Sequence, residues 1–341
     1  MTTLAWIWLE FAVCALLIGA AGPELSRSGD IIADKTGLSS NWIGLILLGT
    51  ITSLPELVTG ITSVTVADVP NVAVGDVLGS CVFNLLILVA IDFLHRETPV
   101  YQRASQGHIL SAGFGVVLIG FAGLNLLVAG QGQSLSFGHV GLYTPIILGL
   151  YLLAVRTVFS YERDHRVAFV EGAAERYPAI TLNSAIVRFA VASAIVVAAG
   201  IWLPFVGSRL AEAMGWRTTF VGSLFVAGAT SLPELVVTVA ALRIGALNLA
   251  IANLLGSNLF DILILAVDDI FYFRGPILSN VSPAHAFSAQ SAVVMTGLVI
   301  VSLLYRPAKR LLRTAGWTSL GLFVLFVLNS YVVFLHGGLA I

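Results

Sequence analysis

The sequence predicts an all-α integral membrane protein with ten transmembrane helices, arranged as two inverted-topology repeats of five helices each. Three observations carry that expectation. Hydrophobic residues make up 58% of the chain and charged residues only 10%. Apolar runs long enough to cross a bilayer, about 20 residues, recur from one end to the other. The string Thr52-Ser53-Leu54-Pro55-Glu56-Leu57-Val58 returns letter for letter as Thr230-Ser231-Leu232-Pro233-Glu234-Leu235-Val236. A soluble α/β protein would need charged surface on every side, and a membrane barrel would show short alternating strands.

Taken in order, the candidate spans centre on residues 4–22, 40–63, 70–94, 106–128, 138–158, 181–203, 218–241, 246–270, 284–305 and 316–337. The first carries Glu10 and lacks a basic leader and a small-residue cleavage site, so it reads as a retained span and not a signal peptide. Ala104 to Val155 contains no Lys, Arg, Asp or Glu and holds two spans, parted near Gly130 to Gly138. Tyr161 to Pro178 is the most polar segment and reads as a linker between an N-terminal repeat, 1–160, and a C-terminal repeat, 179–341. The most similar parts of the two repeats lie at about 44–90 and 222–267.

Lys and Arg accumulate in cytoplasmic loops. Counting alternate loops places thirteen of them on the linker side and only Arg209, Arg217 and Arg274 on the other. The linker side is therefore expected to be cytoplasmic and both termini extracellular, in the plasma membrane. Five spans per half is an odd number, so the halves must insert upside down relative to each other. Such repeats are typical of secondary transporters, whose sites lie where the repeats meet near the midplane.

Pro55 and Pro233 have no N–H to donate and clash with the preceding turn, so each frees carbonyls just upstream. Freed carbonyls are cation ligands. A carboxylate follows each proline, Glu56 or Glu234, and an uncompensated acid at the bilayer centre costs about 2.5–3.5 kcal/mol. Thr52, Ser53, Thr230 and Ser231 add hydroxyls, which makes an all-oxygen environment suited to hard cations such as Na+ and Ca2+. A second string follows each first one: Leu78-Gly79-Ser80-Cys81-Val82-Phe83-Asn84 and Leu255-Gly256-Ser257-Asn258-Leu259-Phe260-Asp261. Asp76, Ser80 and Asn84 are four apart, as are Asn253, Ser257 and Asp261, so each trio shares a helical face. Facing these trios toward the glutamates gives a cavity lined by Glu56, Glu234, Asp261 and Asp76, whose charge suits a divalent ion.

These paired motifs resemble the two α-repeats of the sodium/calcium exchangers, within the cation/calcium antiporter superfamily, in the compact form of the prokaryotic members. The resemblance covers essentially the whole chain. It implies that the coordinating glutamates fall on Glu56 and Glu234 and the hydroxyl ligands on Thr52, Ser53, Thr230, Ser231, Ser80 and Ser257. It further implies an asymmetric pair at Asn84 and Asp261, and backbone-carbonyl ligands near Gly49 and Ala227. The implied activity is electrogenic exchange of Na+ for Ca2+ by alternating access, with the first and sixth helices sliding across the other eight. The transported ions are then substrates, no cofactor is implied, and the chain would work as a monomer in the lipid bilayer.

The sequence departs from that pattern at Asp76, which stands where the second repeat has Asn253, and at Cys81, which replaces the residue matching Asn258. An extra acid could hold a proton or sodium, or raise a neighbour's pKa. H+-coupled antiport of Ca2+ or another divalent ion is thus the alternative, and Asp76 is open between ligand and support of a helix break. Asp92, Asp269 and Glu10 read as interfacial anchors, the histidines as solvated loop or helix-end residues, and Cys81 as a small packing residue. A cation channel would need no counter-ion, and the inverted halves argue against it. Enzymatic function is not expected: there is no His-Glu-x-x-His motif and no base placed to activate a serine. Near-neutral net charge offers no nucleic-acid surface, and two isolated cysteines suggest no redox or zinc chemistry.

Overall fold

The structure is a computed structural model that describes residues 2–95, 98–166, 176–214, 226–307 and 316–336. Backbone polar groups have no water to bond in a hydrocarbon core, so long apolar segments become helices that satisfy themselves. The helices are α1 (Thr2–Thr36), α2 (Ser40–Trp42), α3 (Gly49–Thr52), α4 (Leu54–Thr65), α5 (Pro70–Leu94), α6 (Val100–Arg103) and α7 (Gly107–Ala129) in the first half, with a π-helical turn at Ile43–Leu48. A short hairpin, β1 (Ser136–Phe137) and β2 (Val140–Gly141), leads into α8 (Tyr143–Arg166). The second half contains α9 (Leu182–Met214), α10 (Ala227–Thr230), α11 (Leu232–Arg243), α12 (Leu247–Phe271), α13 (His285–Tyr305) and α14 (Trp317–His336).

Among the described residues, nine helical segments are long and apolar enough to cross a membrane. The remaining expected span, 218–241, begins outside the described residues and continues through α10 and α11. α12 lies at the centre, with 83% of its apolar window buried against 22% for α1. It packs on α5, α4, α7, α8 and the π-helical turn, while α1 and α9 run side by side along the outside.

Several boundaries differ from the sequence expectation. α1 continues to Thr36, so Arg27 and Lys35 lie on a helix and not in a loop. Its polar end is held by protein in place of lipid: Ser26 Oγ donates to the carbonyl of Val237 at 2.7 Å, and Asp30 accepts from Tyr177 Oη at 2.8 Å and Arg176 Nη2 at 3.2 Å. A hydropathy window ends the span where polarity begins; the helix goes on because those polar groups have partners. α9 likewise extends to Met214, and α8 runs through Arg166, into the expected linker. Of that linker, residues 167–175 lie outside the described residues, as do Arg217, Lys309, Arg310 and Arg313.

The two halves repeat their anchors as well as their motifs. Asp92 accepts from the Val100 and Gly316 amides, each at 3.2 Å, and from Ser319 Oγ at 2.6 Å. Its counterpart Asp269 accepts from the Gly141 and Ile277 amides, Tyr143 Oη at 2.6 Å and Thr144 Oγ1 at 2.5 Å. Both tie the end of a central helix to the loops around it, as anchors, although they are buried and not at a wet interface. Glu10 pairs with Arg209. The expectation of solvated histidines fails for two of them. His108 Nε2 bonds Asn248 Oδ1 at 3.2 Å, and His285 Nε2 bonds Asn71 Oδ1 at 3.1 Å, a matched pair that pins a loop in each half; His108 is buried and His285 half-buried.

Replacing Asp269 with Ala leaves the donors around it without their acceptor, each at about 1–3 kcal/mol. Asp269→Ala in detergent is expected to unfold at a clearly lower temperature than wild type. Arg163→Ala, which removes an ion pair whose side chains are 66% exposed, should leave the midpoint unchanged.

Candidate ion-binding site

Each repeated string breaks its helix at the serine that precedes Leu-Pro. Ser53 has φ −92° and ψ 8°, and Ser231 has φ −78° and ψ 5°, so α3 ends and α4 begins at Ser53, and α10 gives way to α11 at Ser231. The proline then sits in the first turn of the new helix, where its missing N–H costs nothing, and the glutamate falls in that same turn. Both breaks meet at the middle of the molecule, against α5 and α12.

The close approach comes from small residues. A Cβ added to Gly49 would lie 2.8 Å from the amide nitrogen of Ser257, and one on Gly44 would lie 2.6 Å from the carbonyl oxygen of Leu249. At Gly256 an added Cβ would strike the backbone of Leu45. The π-helical turn and α3 thus lie directly on α12, backbone against backbone, as small residues permit.

This packing brings the predicted residues together. Glu56, Glu234, Asp76, Asp261, Thr52, Thr230 and Ser257 have no exposed surface, and Ser53, Ser80, Ser231 and Asn84 almost none. Contacts cross between the repeats. Ser53 Oγ donates to Glu234 Oε1 at 3.1 Å, Ser231 Oγ to Ser80 Oγ at 3.3 Å, and Thr52 Oγ1 lies 3.3 Å from Ser257 Oγ. Within each half a serine from the second string donates to the glutamate of the first: Ser80 to Glu56 and Ser257 to Glu234, both at 3.5 Å. The carbonyl of Gly49 accepts from Ser53 N at 3.2 Å and Ser257 Oγ at 3.4 Å, and that of Ala227 from Ser231 N and Thr230 Oγ1, each at 3.0 Å.

Asp76 accepts from Thr230 Oγ1 at 3.0 Å, in the place where Asn253 meets Thr52 Oγ1 at 3.5 Å in the other half. It therefore does steady the break at α10. Its other oxygen is left over. Asn84 Nδ2 bonds Asn258 Oδ1 at 3.0 Å and Asp261 Oδ2 at 3.5 Å, and Cys81 Sγ lies 3.7 Å from the same Asp261 oxygen. Asn258, which also donates to the carbonyl of Cys81 at 3.3 Å, was not singled out from the sequence; its place in the repeated string was the available signal. Cys81 packs as expected, with a weak donor aimed at the acid.

What remains is a set of acceptors with nothing to accept. Glu56 Oε2, Glu234 Oε2, Asp76 Oδ2, Asp261 Oδ1 and Asn84 Oδ1 are buried and have no hydrogen-bond partner. Arg188, the one cation placed well inside an expected span, is half exposed and 3.8 Å from Glu24. Among the described residues no three His, Cys, Asp or Glu side chains converge as a ready metal cluster. Ligation at this centre has to combine carboxylates with hydroxyls and carbonyls, a donor set that fits hard cations.

A sequence model described as sodium/calcium exchanger protein matches residues 6–173 and 184–332. The chain belongs to that family. Members are membrane transporters and not enzymes, and the fold is the all-α one of ten membrane helices in two inverted repeats. Similar curated proteins include the inner membrane protein YrbG of Escherichia coli, 22% identical over 93% of this chain and 94% of that one. Another is the putative antiporter CaxA of Alkalimonas amylolytica, 26% identical over 86% and 88%. A third is the sodium/calcium exchanger MaX1 of Methanosarcina acetivorans, 24% identical over 72% and 77%. Among solved structures, the sodium-calcium exchanger NCX_Mj soaked with 2.5 mM Na+ and 0.1 mM Sr2+ superposes with a TM-score of 0.72 at 19% identity, over 95% of this chain and 98% of that one. In this exchanger-family chain the glycine seam holds the π-helical turn and α3 directly against α12. Gly256→Ala is expected to force α12 away from the π-helical turn at about 1–3 kcal/mol, read as a lower unfolding temperature and weaker Ca2+ protection against heat.

Proposed function

We propose that this chain is a secondary active antiporter that exchanges Na+ for Ca2+ across the plasma membrane by alternating access, with both termini extracellular and the repeats spanning 1–160 and 179–341. The observation that supports it most is the set of orphaned carboxylate and amide oxygens at the junction of the repeats, with no buried Lys or Arg among the described residues to answer them. Glu56, Glu234 and Asp261 supply the charge. Asn84, Asp76, the hydroxyls of Thr52, Ser53, Ser80, Thr230, Ser231 and Ser257, and the carbonyls of Gly49 and Ala227 complete the coordination.

Exchange follows from electrostatics. An empty site leaves several negative charges in a dry space, which opposes closure; one Ca2+ or several Na+ ions relieve the repulsion and let the helices pass through the closed state. Both loads need the same oxygens, so they exclude one another. Asp76 supports a second reading, H+ in place of Na+, because its free oxygen adds a carboxylate that the other half lacks.

In proteoliposomes, Glu56→Gln and Glu234→Gln are each expected to abolish Ca2+ exchange, and normal flux in either would remove that residue from the site. Asp261→Asn should raise the Ca2+ concentration needed for half-maximal uptake. To separate the coupling ions, Ca2+ uptake is measured with the Na+ gradient and pH varied independently. A Na+ gradient should drive uptake at constant pH; uptake driven only by a pH gradient would favour H+ coupling.

A further inference from the structure

Asp268 is not explained by the central site. It lies on α12 seven residues beyond Asp261, about 10 Å further toward the face opposite the linker and on nearly the same side of the helix. It has no exposed surface, and among the described residues it is the one carboxylate with both oxygens buried and without any hydrogen-bond partner. Its room is made by Gly60 of α4: a Cβ there would sit 2.8 Å from Asp268 Cγ and 2.6 Å from Oδ1.

The repeat explains why this place is unusual. With the same offsets that align the strings, Gly60 matches Thr238, Asp76 matches Asn253 and Asp268 matches Ile91. In the second half the corresponding space is closed by a hydrogen bond from Asn253 Nδ2 to Thr238 Oγ1 at 3.1 Å, and Ile91 is buried apolar packing. Around Gly60 the hydroxyl side chain is gone and two acids stand in its surroundings, Asp76 from the first repeat and Asp268 from the second. Gly60 adjoins Asp268 directly, and the symmetry of the repeats puts Asp76 on its other side, as Asn253 adjoins Thr238, so the three departures replace a sealed contact with carboxylates that have three unsatisfied oxygens.

Charge demands an occupant. Glu56, Asp76, Glu234, Asp261 and Asp268 are all fully buried. One divalent ion at the centre offsets only two of those charges, and burying the others uncompensated is costly. We propose that Asp76 and Asp268 form a second cation position, an outer station for a hard divalent ion such as Ca2+ between the central site and the membrane face opposite the linker. Two carboxylates supply up to four oxygens and match its charge, and water completes the shell. The inference rests on the antiporter reading, since the ion is the transported one.

The test is calorimetric titration of Ca2+ into the purified full-length protein in detergent without Na+. Wild type is expected to bind more than one equivalent. Asp268→Asn should lose one equivalent while keeping the central one, and so should Asp268→Ile, which puts there the residue that the first repeat carries at the matching position. Glu234→Gln should keep the outer equivalent and lose the central one. Binding of a single equivalent by wild type, or an unchanged stoichiometry in monodisperse Asp268→Asn and Asp268→Ile, overturns the outer station and leaves the antiporter reading standing. Failure of the wild-type protein to exchange Ca2+ in proteoliposomes under either a Na+ or a pH gradient would instead overturn the antiporter reading on which the station rests.

Discussion

Buried acid without buried base is the constraint around which this molecule is organised. A carboxylate in a membrane core normally pairs with a cation of the protein or gives up its charge. Here the acids of α4, α5, α11 and α12 face one another, and the described cations lie at the ends of the helices or on exposed surface. Hydroxyl donors reach one oxygen of each glutamate and leave the other bare. Half-satisfied polar networks are unfavourable in a static core. They make sense in a protein whose missing partner comes and goes.

The glycine seam and the serine breaks serve the same end by different means. Proline after the break places the glutamate in the first turn of a new helix, where the N-terminal end of the dipole favours an anion. Gly44, Gly49 and Gly256 allow the π-helical turn and α3, just before the first break, to touch α12 without intervening side chains. A larger residue would hold the hydroxyls of α3 and α12 too far apart to share an ion. Outside this centre the acids behave differently. Asp92 and Asp269 are as deeply buried, yet every one of their oxygens is occupied by loop amides and hydroxyls. Partnering, and not burial, separates the anchors from the acids of the site.

Much of this was legible in the sequence because the fold repeats itself. The exact return of Thr-Ser-Leu-Pro-Glu marked both glutamates and their hydroxyls, and the spacing of four placed Ser80, Asn84, Ser257 and Asp261 on facing sides. What escaped was whatever depends on partners outside the local pattern. The polar end of α1 looked like a loop because hydropathy does not register that Asp30 meets Tyr177 and Arg176. His108 and His285 looked like surface residues because each needs an asparagine from the other repeat to be buried. Asp268 was hidden by the repeat itself: its counterpart is Ile91, so comparison of the halves passes over it unless differences are read as carefully as matches.

The placement of α9 links the site to motion. Gly200 of α9 faces both prolines: a Cβ there would lie 2.5 Å from Pro55 Cγ and 3.5 Å from Pro233 Cγ. α9 therefore crosses over the two helix breaks at once, at a point with no side chain to catch on them. α1 is fastened to α11 through Ser26 and to the segment before α9 through Asp30 and Asp34. A slide of α1 and α9 of the kind the family resemblance implies would carry Gly200 off the prolines and load whatever Pro55 and Pro233 support, which is Glu56 and Glu234. Ions that draw those glutamates together would then stiffen the surface over which α9 must pass, and an empty, self-repelling site would distort it. Coupling between occupancy and sliding would need no separate relay in such an arrangement, because the residues proposed to hold the ion stand next to the surface over which α9 would pass.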